Sequence, residues 1–229
     1  MITLPPAVTS PASLLTLPDD FLTLADLGGA ETRVKASVFL ATAWPVASED
    51  EARTILAARE KEMWDANHHC SAWRLRGGVA RANDAGEPGG SAGAPILAAI
   101  EGAGLVDTLV IVTRWFGGTK LGVGGLVRAY GEAAALALEA APRRVGTTAI
   151  RLRVRYPYPH TAAVMRVLER AGAAAIEHGY EAAGEGGIVE VSVPTSAEAR
   201  VAEELREATS GAVVPERVGE AVLYRNVAG

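Results

Sequence analysis

Apolar and polar positions along this 229-residue chain form blocks typical of a mixed α+β protein. Short apolar or alternating runs predict strands at residues 32–43, 69–75, 79–83, 105–114, 147–156, 174–181, 188–193 and 213–224. Apolar positions at helical spacing predict helices at residues 48–64, 91–101, 125–141, 160–171 and 196–209. The apolar run at 105–114 predicts a buried central strand.

Local signals place several boundaries. Ser48 followed by Glu51 forms a capping-box pattern, and Ser91 is a candidate N-cap for the next helix. Gly28-Gly29 predicts a turn. Prolines interrupt residues 1–30, which are therefore expected to form an N-terminal arm or extension.

The pattern restarts after Pro142, which predicts a boundary between two domains near residues 142–146. Residues 31–143 form the first predicted domain, and residues 146–229 form the second. The order βαββαβ in the second domain is typical of a ferredoxin-like fold. We expect each domain to pack independently.

Net charge, the length of apolar runs and the cysteine count restrict which ligands and which cellular compartment are expected. The net charge of −5 argues against a broadly basic nucleic-acid surface, so any anion site must be local. No apolar run reaches the roughly 18 residues that a membrane helix needs, and no membrane partner is expected. The chain start resembles no secretory signal, and the single Cys70 fits a reducing compartment. We therefore expect a cytoplasmic protein.

Glycines cluster between residues 83 and 130, on both sides of the predicted central strand. Glycine is favoured where φ is positive or where another group approaches the backbone. The loop containing Gly86 and Gly93 could form an anion nest before a helix, or it could be a tight turn without a ligand. The neighbouring Asp84 and Glu87 would repel an anion, which favours the turn.

Cations are set among these glycines and form the stronger candidate site. Arg114 ends the central strand, Lys120 lies between glycines, and Arg128 lies in the following helix, so the three could converge on a phosphate. Trp115 and Phe116 could stack on a base. Alternatively, the aromatic pair belongs to the core and the cations pair with acids. The candidate ligand-binding residues are Asp84, Gly86, Glu87, Gly93, Arg114, Trp115, Gly117, Gly118, Lys120, Gly124 and Arg128.

Two other groups are weaker candidates. Adjacent His68 and His69 point to opposite faces of a strand, and one cysteine is too few for a typical structural zinc site, so no metal or other cofactor is predicted. Cys70 is better explained as a small buried side chain than as a nucleophile. In the second domain, the stripe Arg151, Arg153 and Arg155 is a possible secondary RNA face, although pairing with glutamates explains it more simply.

The glycine-rich motifs resemble the Impact/YigZ family. The resemblance rests on Asp84–Pro88, on Ser91–Leu97 and above all on 112–131, VTRWFGGTKLGVGGLVRAYG, and it extends over about residues 31–225. It implies a first domain similar to domain 2 of ribosomal protein S5, and a second similar to domain V of elongation factor G. It also implies a translation-related role. Ala94 and Val38 stand where the family pattern has cations.

Two classes of function remain open from the sequence. The first is a non-enzymatic regulatory protein that binds RNA, the ribosome or a translation-related protein, without specificity for DNA. The second is a small-molecule or peptide enzyme that uses Asp84, Glu87 and Arg114. No credible pair of nucleophile and base is present, which favours the binding role.

Overall fold

The protein is described by a computed structural model that covers residues 15–180 and 186–227. The chain divides into two compact units. Among the described residues, the first holds Leu22–Val145, Asn226 and Val227, and the second holds Leu15–Phe21 and Gly146–Arg225. The sequence placed the boundary at 142–146, and the division falls inside the strand Arg143–Pro157. Independent folding of the two units stays a prediction.

The described strands are β1 Asp20–Leu24, β2 Gly28–Val34, β3 Ser37–Pro45, β4 His68–Arg74, β5 Ala80–Asn83, β6 Thr108–Trp115, β7 Arg143–Pro157, β8 Ala174–Tyr180, β9 Gly186–Pro194 and β10 Glu216–Asn226. The described α-helices are α1 Glu49–Glu62, α2 Gly93–Gly102, α3 Val123–Ala140, α4 Thr161–Arg170 and α5 Glu198–Ala208. None of these helices is long and apolar enough to cross a membrane.

The first unit is built on a sheet with the order β2-β3-β6-β4-β5, whose neighbouring strands are antiparallel. Alternate residues of β6 point to opposite faces. Val110 and Val112 join a core with residues of α2 and α3, whereas Leu109 and Ile111 join a smaller core with Ala52 of α1. Helices therefore cover both faces, and β6 is the central strand that the sequence predicted.

The second unit has the element order β7-α4-β8-β9-α5-β10 and the sheet order β10-β7-β9-β8. This is the ferredoxin-like arrangement predicted from the sequence, and β1 also pairs with β7. Its core packs alternate residues of the sheet, such as Leu152 of β7 and Val191 of β9, against the apolar faces of the two helices. Leu168 of α4 and Val201 of α5 lie on those faces. The α+β class is thus confirmed.

Of three local predictions, two need correction and one is confirmed. The single strand expected at 32–43 is a hairpin of β2 and β3, which turns at Lys35 with a φ of 54°. Ser48 does cap α1, and its Oγ accepts from the N–H of Glu51. Ser91 does not cap α2, because its hydroxyl is buried without a hydrogen-bond partner among the described residues and Ala92 takes the N-cap position.

The arm expected over residues 1–30 includes two strands, β1 and the start of β2, while its first 14 residues lie outside the described ranges. Asp20 holds the described part of this segment in place. Its buried carboxylate accepts hydrogen bonds from Arg225 and Thr147 and from the backbone N–H groups of Thr16 and Leu17. Burial acts to raise the pKa of Asp20, but these donors outweigh it and hold the pKa well below its usual range.

Gly28 does not form the predicted turn but begins β2, where it pairs with Ala43 of β3, and the backbone of α3 passes directly over it. A Cβ atom at residue 28 would lie 2.5 Å from both the carbonyl oxygen of Ala137 and the nitrogen of Ala141. At neighbouring Gly29, the nearest atom would be the oxygen of Ala41 at 3.7 Å, an ordinary contact.

We predict that Gly28→Ala destabilises the protein by about 1–3 kcal/mol, because the helix or the strand must shift to admit a methyl group. Gly29→Ala is the matched control and should change the free energy of unfolding by less than about 0.5 kcal/mol. Urea unfolding of both variants measures the difference. Equal stabilities would show that α3 does not pack closely on β2.

Candidate binding surface at the glycine-rich loops

The glycine-rich loop between β5 and α2 does form an anion nest, and Asp84 occupies it. Asp84 Oδ1 accepts from the N–H groups of Ala92 and Gly93 at 2.9 and 2.8 Å, and Oδ2 accepts from that of Gly90 at 2.8 Å. Gly93 opens α2 and has no room for a side chain, since a Cβ would lie 2.6 Å from the nitrogen of Asn83. These N–H groups are thus satisfied by a side chain of the same loop, which supports the tight-turn alternative.

The charge of Asp84 is stabilised by these bonds. Partial burial acts to raise its pKa, but the N–H donors of Gly90, Gly93 and Ala92 outweigh burial and lower the pKa from its ordinary value. The carboxylate also lies at the N-terminal end of α2, where the helix dipole favours a negative charge. Gly86 continues the turn with a φ of 86°, a conformation that glycine adopts without strain.

Glu87 and Arg114 form a buried ion pair, and each side chain is only 5% exposed. Arg114 Nη1 donates to Glu87 Oε1 at 2.5 Å, and the Tyr130 hydroxyl donates to the same oxygen at 2.7 Å. Arg114 Nη2 also donates to Ser37 Oγ at 3.3 Å. Arg114 is thus held by protein groups, as the pairing alternative stated, and is not presented at the surface.

Aromatic rings enclose the Arg114 guanidinium. Its carbon lies 5.3 Å from the ring centre of Phe39 and 5.6 Å from that of Phe116. Phe39 is the cross-strand partner of Arg114, and its ring meets Tyr130 edge to face at 5.1 Å. Arg114 of β6 thus contacts Phe39 of β3 and Glu87 of the β5–α2 loop, and Glu87 in turn accepts a hydrogen bond from Tyr130 of α3.

Phe116 differs from its neighbour Trp115. Phe116 is 46% exposed as a residue, whereas Trp115 is half-buried and its Nε1–H donates to Asp65 at 3.0 Å. The Phe116 N–H donates to Asn67 Oδ1 at 2.7 Å. The next N–H, of Gly117, donates to Ser37 Oγ at 3.1 Å. The backbone that carries the Phe116 ring is therefore fixed on both sides.

Lys120 and Arg128 are the exposed cations of the predicted set. Neither side chain forms an ion pair with any residue in 15–180 or 186–227. Arg128 Nη1 lies 3.7 Å from the position a Cβ would take at Gly124, so the guanidinium lies beside the first turn of α3. Gly118 has a φ of 80° in the exposed connection between β6 and α3.

We call this region the β6–α3 surface and define it by Phe116, Gly118, Lys120, Gly124 and Arg128. Lys35 adjoins it, because its Nζ lies 3.5 Å from the carbonyl oxygen of Lys120. No acidic residue occurs between residues 108 and 131. The structure thus divides the predicted residues into a buried group around Arg114 and an exposed, positively charged group after β6.

The thiol of Cys70 is not poised for nucleophilic chemistry. Burial raises the pKa of Cys70 to about 12. Its thiol donates a hydrogen bond to the carbonyl oxygen of Asp84 at 3.1 Å. A thiolate is the reactive form of cysteine, so a neutral buried thiol is inert near pH 7. Cys70 packs as a small apolar side chain in the core of the first unit.

The two histidines point to different partners, as strand geometry predicted. His68 Nδ1 lies 3.0 Å from the carbonyl oxygen of Ala85, and His69 Nδ1 lies 3.1 Å from Thr113 Oγ1. Burial lowers the pKa of His69 and favours its neutral form. The described part of the chain contains no group of three or more His, Cys, Asp or Glu side chains arranged to hold a metal ion.

The arginine stripe of the second unit is mostly neutralised. Arg153 pairs with Glu190 at 2.7 Å, and Arg155 pairs with Glu216 at 3.2 Å. Arg151 crosses the backbone of β10, where a Cβ at Gly219 would lie 2.9 Å from its Nη2. The solvated, glutamate-paired face is the interpretation that these contacts support, and RNA binding by this stripe stays a prediction.

Sequence reasoning missed Tyr130 and Ser37 as partners of the buried pair. Tyr130 lies on the apolar face of α3, among alanines and leucines, where a buried hydroxyl requires a hydrogen-bond partner. The alternation along β6 also carried a signal. Arg114 shares its face with Val110 and Val112, which pack in the helix-covered core, so its side chain had to point inwards.

Comparisons with known proteins identify the family. Residues 35–138 match the Impact N-terminal domain. The chain is 46% identical over 135 residues to an IMPACT family member from Thermus thermophilus, in a match that covers 59% of this chain and 73% of that relative. The chain belongs to the IMPACT family. This confirms the resemblance read from the glycine-rich motifs.

Other relatives extend the comparison. IMPACT family member YvyE from Bacillus subtilis is 40% identical over 114 residues, which cover 49% of this chain and 52% of YvyE. A crystal structure of a hypothetical protein superposes with a TM-score of 0.63 at 26% identity, and the match covers 88% of this chain and 98% of that one. Membership of the IMPACT family supports a translation-related regulatory role and nothing finer.

We predict that Asp84→Asn costs about 1–3 kcal/mol of unfolding free energy at pH 7, because the charged acceptor of three N–H groups is lost. Since the folded-state pKa of Asp84 is lowered, its contribution is present above the unfolded pKa of about 3.9 and disappears as the pH falls through the folded pKa. Urea unfolding should therefore show the deficit shrinking below about pH 4. Exposed Glu101→Gln is the control; a deficit that persists unchanged in acid would contradict the assignment.

Proposed function

We propose that this protein is a non-enzymatic, translation-associated regulator that binds RNA on the ribosome through the β6–α3 surface. The observation that carries the proposal is the pair of exposed cations, Lys120 and Arg128, which have no ion-pair partner in the described ranges. In this proposal the protein acts in the cytoplasm, where translation takes place.

The local charge supports an anionic ligand despite the net charge of −5. The segment between residues 108 and 131 contains cations and no acid. The first turn of α3 carries no acidic residue, and Gly122 gives it no side-chain cap. The partial positive charge of that helix end adds to the field of Lys120 and Arg128.

The enzymatic alternative has less support. It assigned acid, base and oxyanion roles to Asp84, Glu87 and Arg114. Both Asp84 oxygens accept backbone N–H groups, and Glu87 and Arg114 are buried against each other. Groups held in this way serve the fold, so the binding role is the better supported of the two.

We predict that the wild-type protein cosediments with ribosomes at low salt and that Lys120→Ala/Arg128→Ala weakens this binding at least about 100-fold. The expectation rests on roughly 1.5–3 kcal/mol for each charge-assisted contact. Both side chains are exposed, so the thermal melt should stay unchanged.

The matched control is Lys61→Ala/Arg166→Ala, which removes two exposed cations elsewhere on the chain. Equal losses in both double variants would show that binding follows net charge alone. If the wild-type protein neither cosediments at low salt nor binds free RNA, RNA binding is wrong and a translation-related protein becomes the better candidate partner.

A further inference from the structure

We infer that the exposed face of Phe116 is a stacking platform for an unpaired base, and hence that the RNA bound at the β6–α3 surface is single-stranded. This inference rests on the proposed function and narrows its ligand. Two observations distinguish a base-stacking site from a site that binds phosphate alone. The first is the set of contacts that hold the Phe116 ring, and the second is the set of cations beside its exposed face.

The inner side of the ring is already occupied. The Arg114 guanidinium lies 5.6 Å from the Phe116 ring centre and is itself fixed by Glu87 and Ser37. Phe116 nevertheless remains 46% exposed. An aromatic ring held by a buried cation on one side offers the other side to solvent, where another flat group can stack.

The backbone beneath the ring is also fixed before any ligand arrives. The N–H groups of Phe116 and Gly117 bond to Asn67 and Ser37, respectively. A Cβ at Gly117 would lie 2.0 Å from the backbone carbon of Ala36, so the two segments are in direct contact. Binding a base here orders little additional chain, which favours affinity.

Trp115 cannot serve in the same way. Its indole is half-buried, and its one polar hydrogen is donated to Asp65. Of the aromatic pair that the sequence offered for stacking, the structure therefore leaves Phe116 as the available ring.

Cations next to an exposed ring match the chemistry of single-stranded nucleic acid. Bases of a single strand stack on aromatic side chains while neighbouring phosphates contact Lys and Arg. Lys120 and Arg128 supply those contacts, and Lys35 extends the positive surface beside Lys120. In an intact duplex both faces of each base are covered by its neighbours, so a duplex cannot use the Phe116 ring without being opened.

The test uses the full chain and a fluorescent oligoadenylate of about 12 nucleotides, alone and annealed to its complement. Phe116→Ala and Phe116→Leu should weaken binding of the single strand roughly 5- to 150-fold, whereas Phe116→Tyr should bind nearly as the wild type does. Tyr158→Ala is the control, because that ring has a similar exposure of 48% and lies in the second unit. It should bind normally.

The salt dependence of the affinity distinguishes the contribution of base stacking from that of phosphate contacts. Phe116→Leu should lower the affinity without changing the slope of log K against log salt, because no phosphate contact is lost. Lys120→Ala/Arg128→Ala should make the slope shallower by about 1.4, at roughly 0.7 for each contact to a single strand. Thermal melts establish that every variant is folded at the temperature of the binding assay.

Each outcome decides one of the two proposals. Wild-type affinity in Phe116→Leu, or equal affinity for the duplex, overturns the stacking platform. If Lys120→Ala/Arg128→Ala loses ribosome binding while Phe116→Leu binds the single strand as tightly as the wild type does, the proposed function stands and the single-strand inference fails. If the wild type binds neither ribosomes nor the oligonucleotide, the proposed function fails as well.

Discussion

One oxygen atom, Oε1 of Glu87, organises the glycine-rich part of the first unit. It accepts from both Arg114 and Tyr130, which come from β6 and α3. A buried ion pair of this kind is weak evidence for added stability, but removing one partner leaves an uncompensated charge in the interior. The β5–α2 loop, the central strand and α3 therefore depend on one another through this carboxylate.

Charged residues of the glycine-rich region therefore fall into two groups, one buried in the fold and one exposed at the β6–α3 surface. The two acids of the β5–α2 loop are satisfied inside the fold: Asp84 by backbone N–H groups, and Glu87 by Arg114 and Tyr130. The buried arginine supports the Phe116 ring, and the cations after it, Lys120 and Arg128, form no ion pair within residues 15–180 and 186–227. The contacts that hold the fold together thus also produce a local positive surface on an acidic protein.

Much of this architecture could be predicted from the sequence because its signals are local. The capping pattern at Ser48, the apolar run of β6 and the βαββαβ order each depend on nearby residues. The role of Gly28 could not be read in this way. It is a glycine because Ala137 of α3 lies over it, more than a hundred positions away along the chain.

The candidate site was only partly predictable for the same reason. Its location between residues 83 and 130 followed from glycine and charge patterns. The pattern did not show which charged side chains would be buried, because their partners are distant in the sequence. Arg114 bonds to Glu87, 27 positions away, and Glu87 bonds to Tyr130, 43 positions away. The face alternation of β6 was the one local clue, because it places Arg114 on the same face as Val110 and Val112 and Trp115 on the opposite face.

The central claim is that Arg114 builds the fold whereas Lys120 binds the ligand. Urea unfolding and RNA affinity measured on Arg114→Ala and Lys120→Ala test it most directly. Arg114→Ala should lose about 3–5 kcal/mol of unfolding free energy, because Glu87 is left buried and unpaired. Lys120→Ala should stay within about 0.5 kcal/mol of the wild type and lose RNA affinity. An Arg114→Ala protein with unchanged stability and abolished RNA binding would contradict the account.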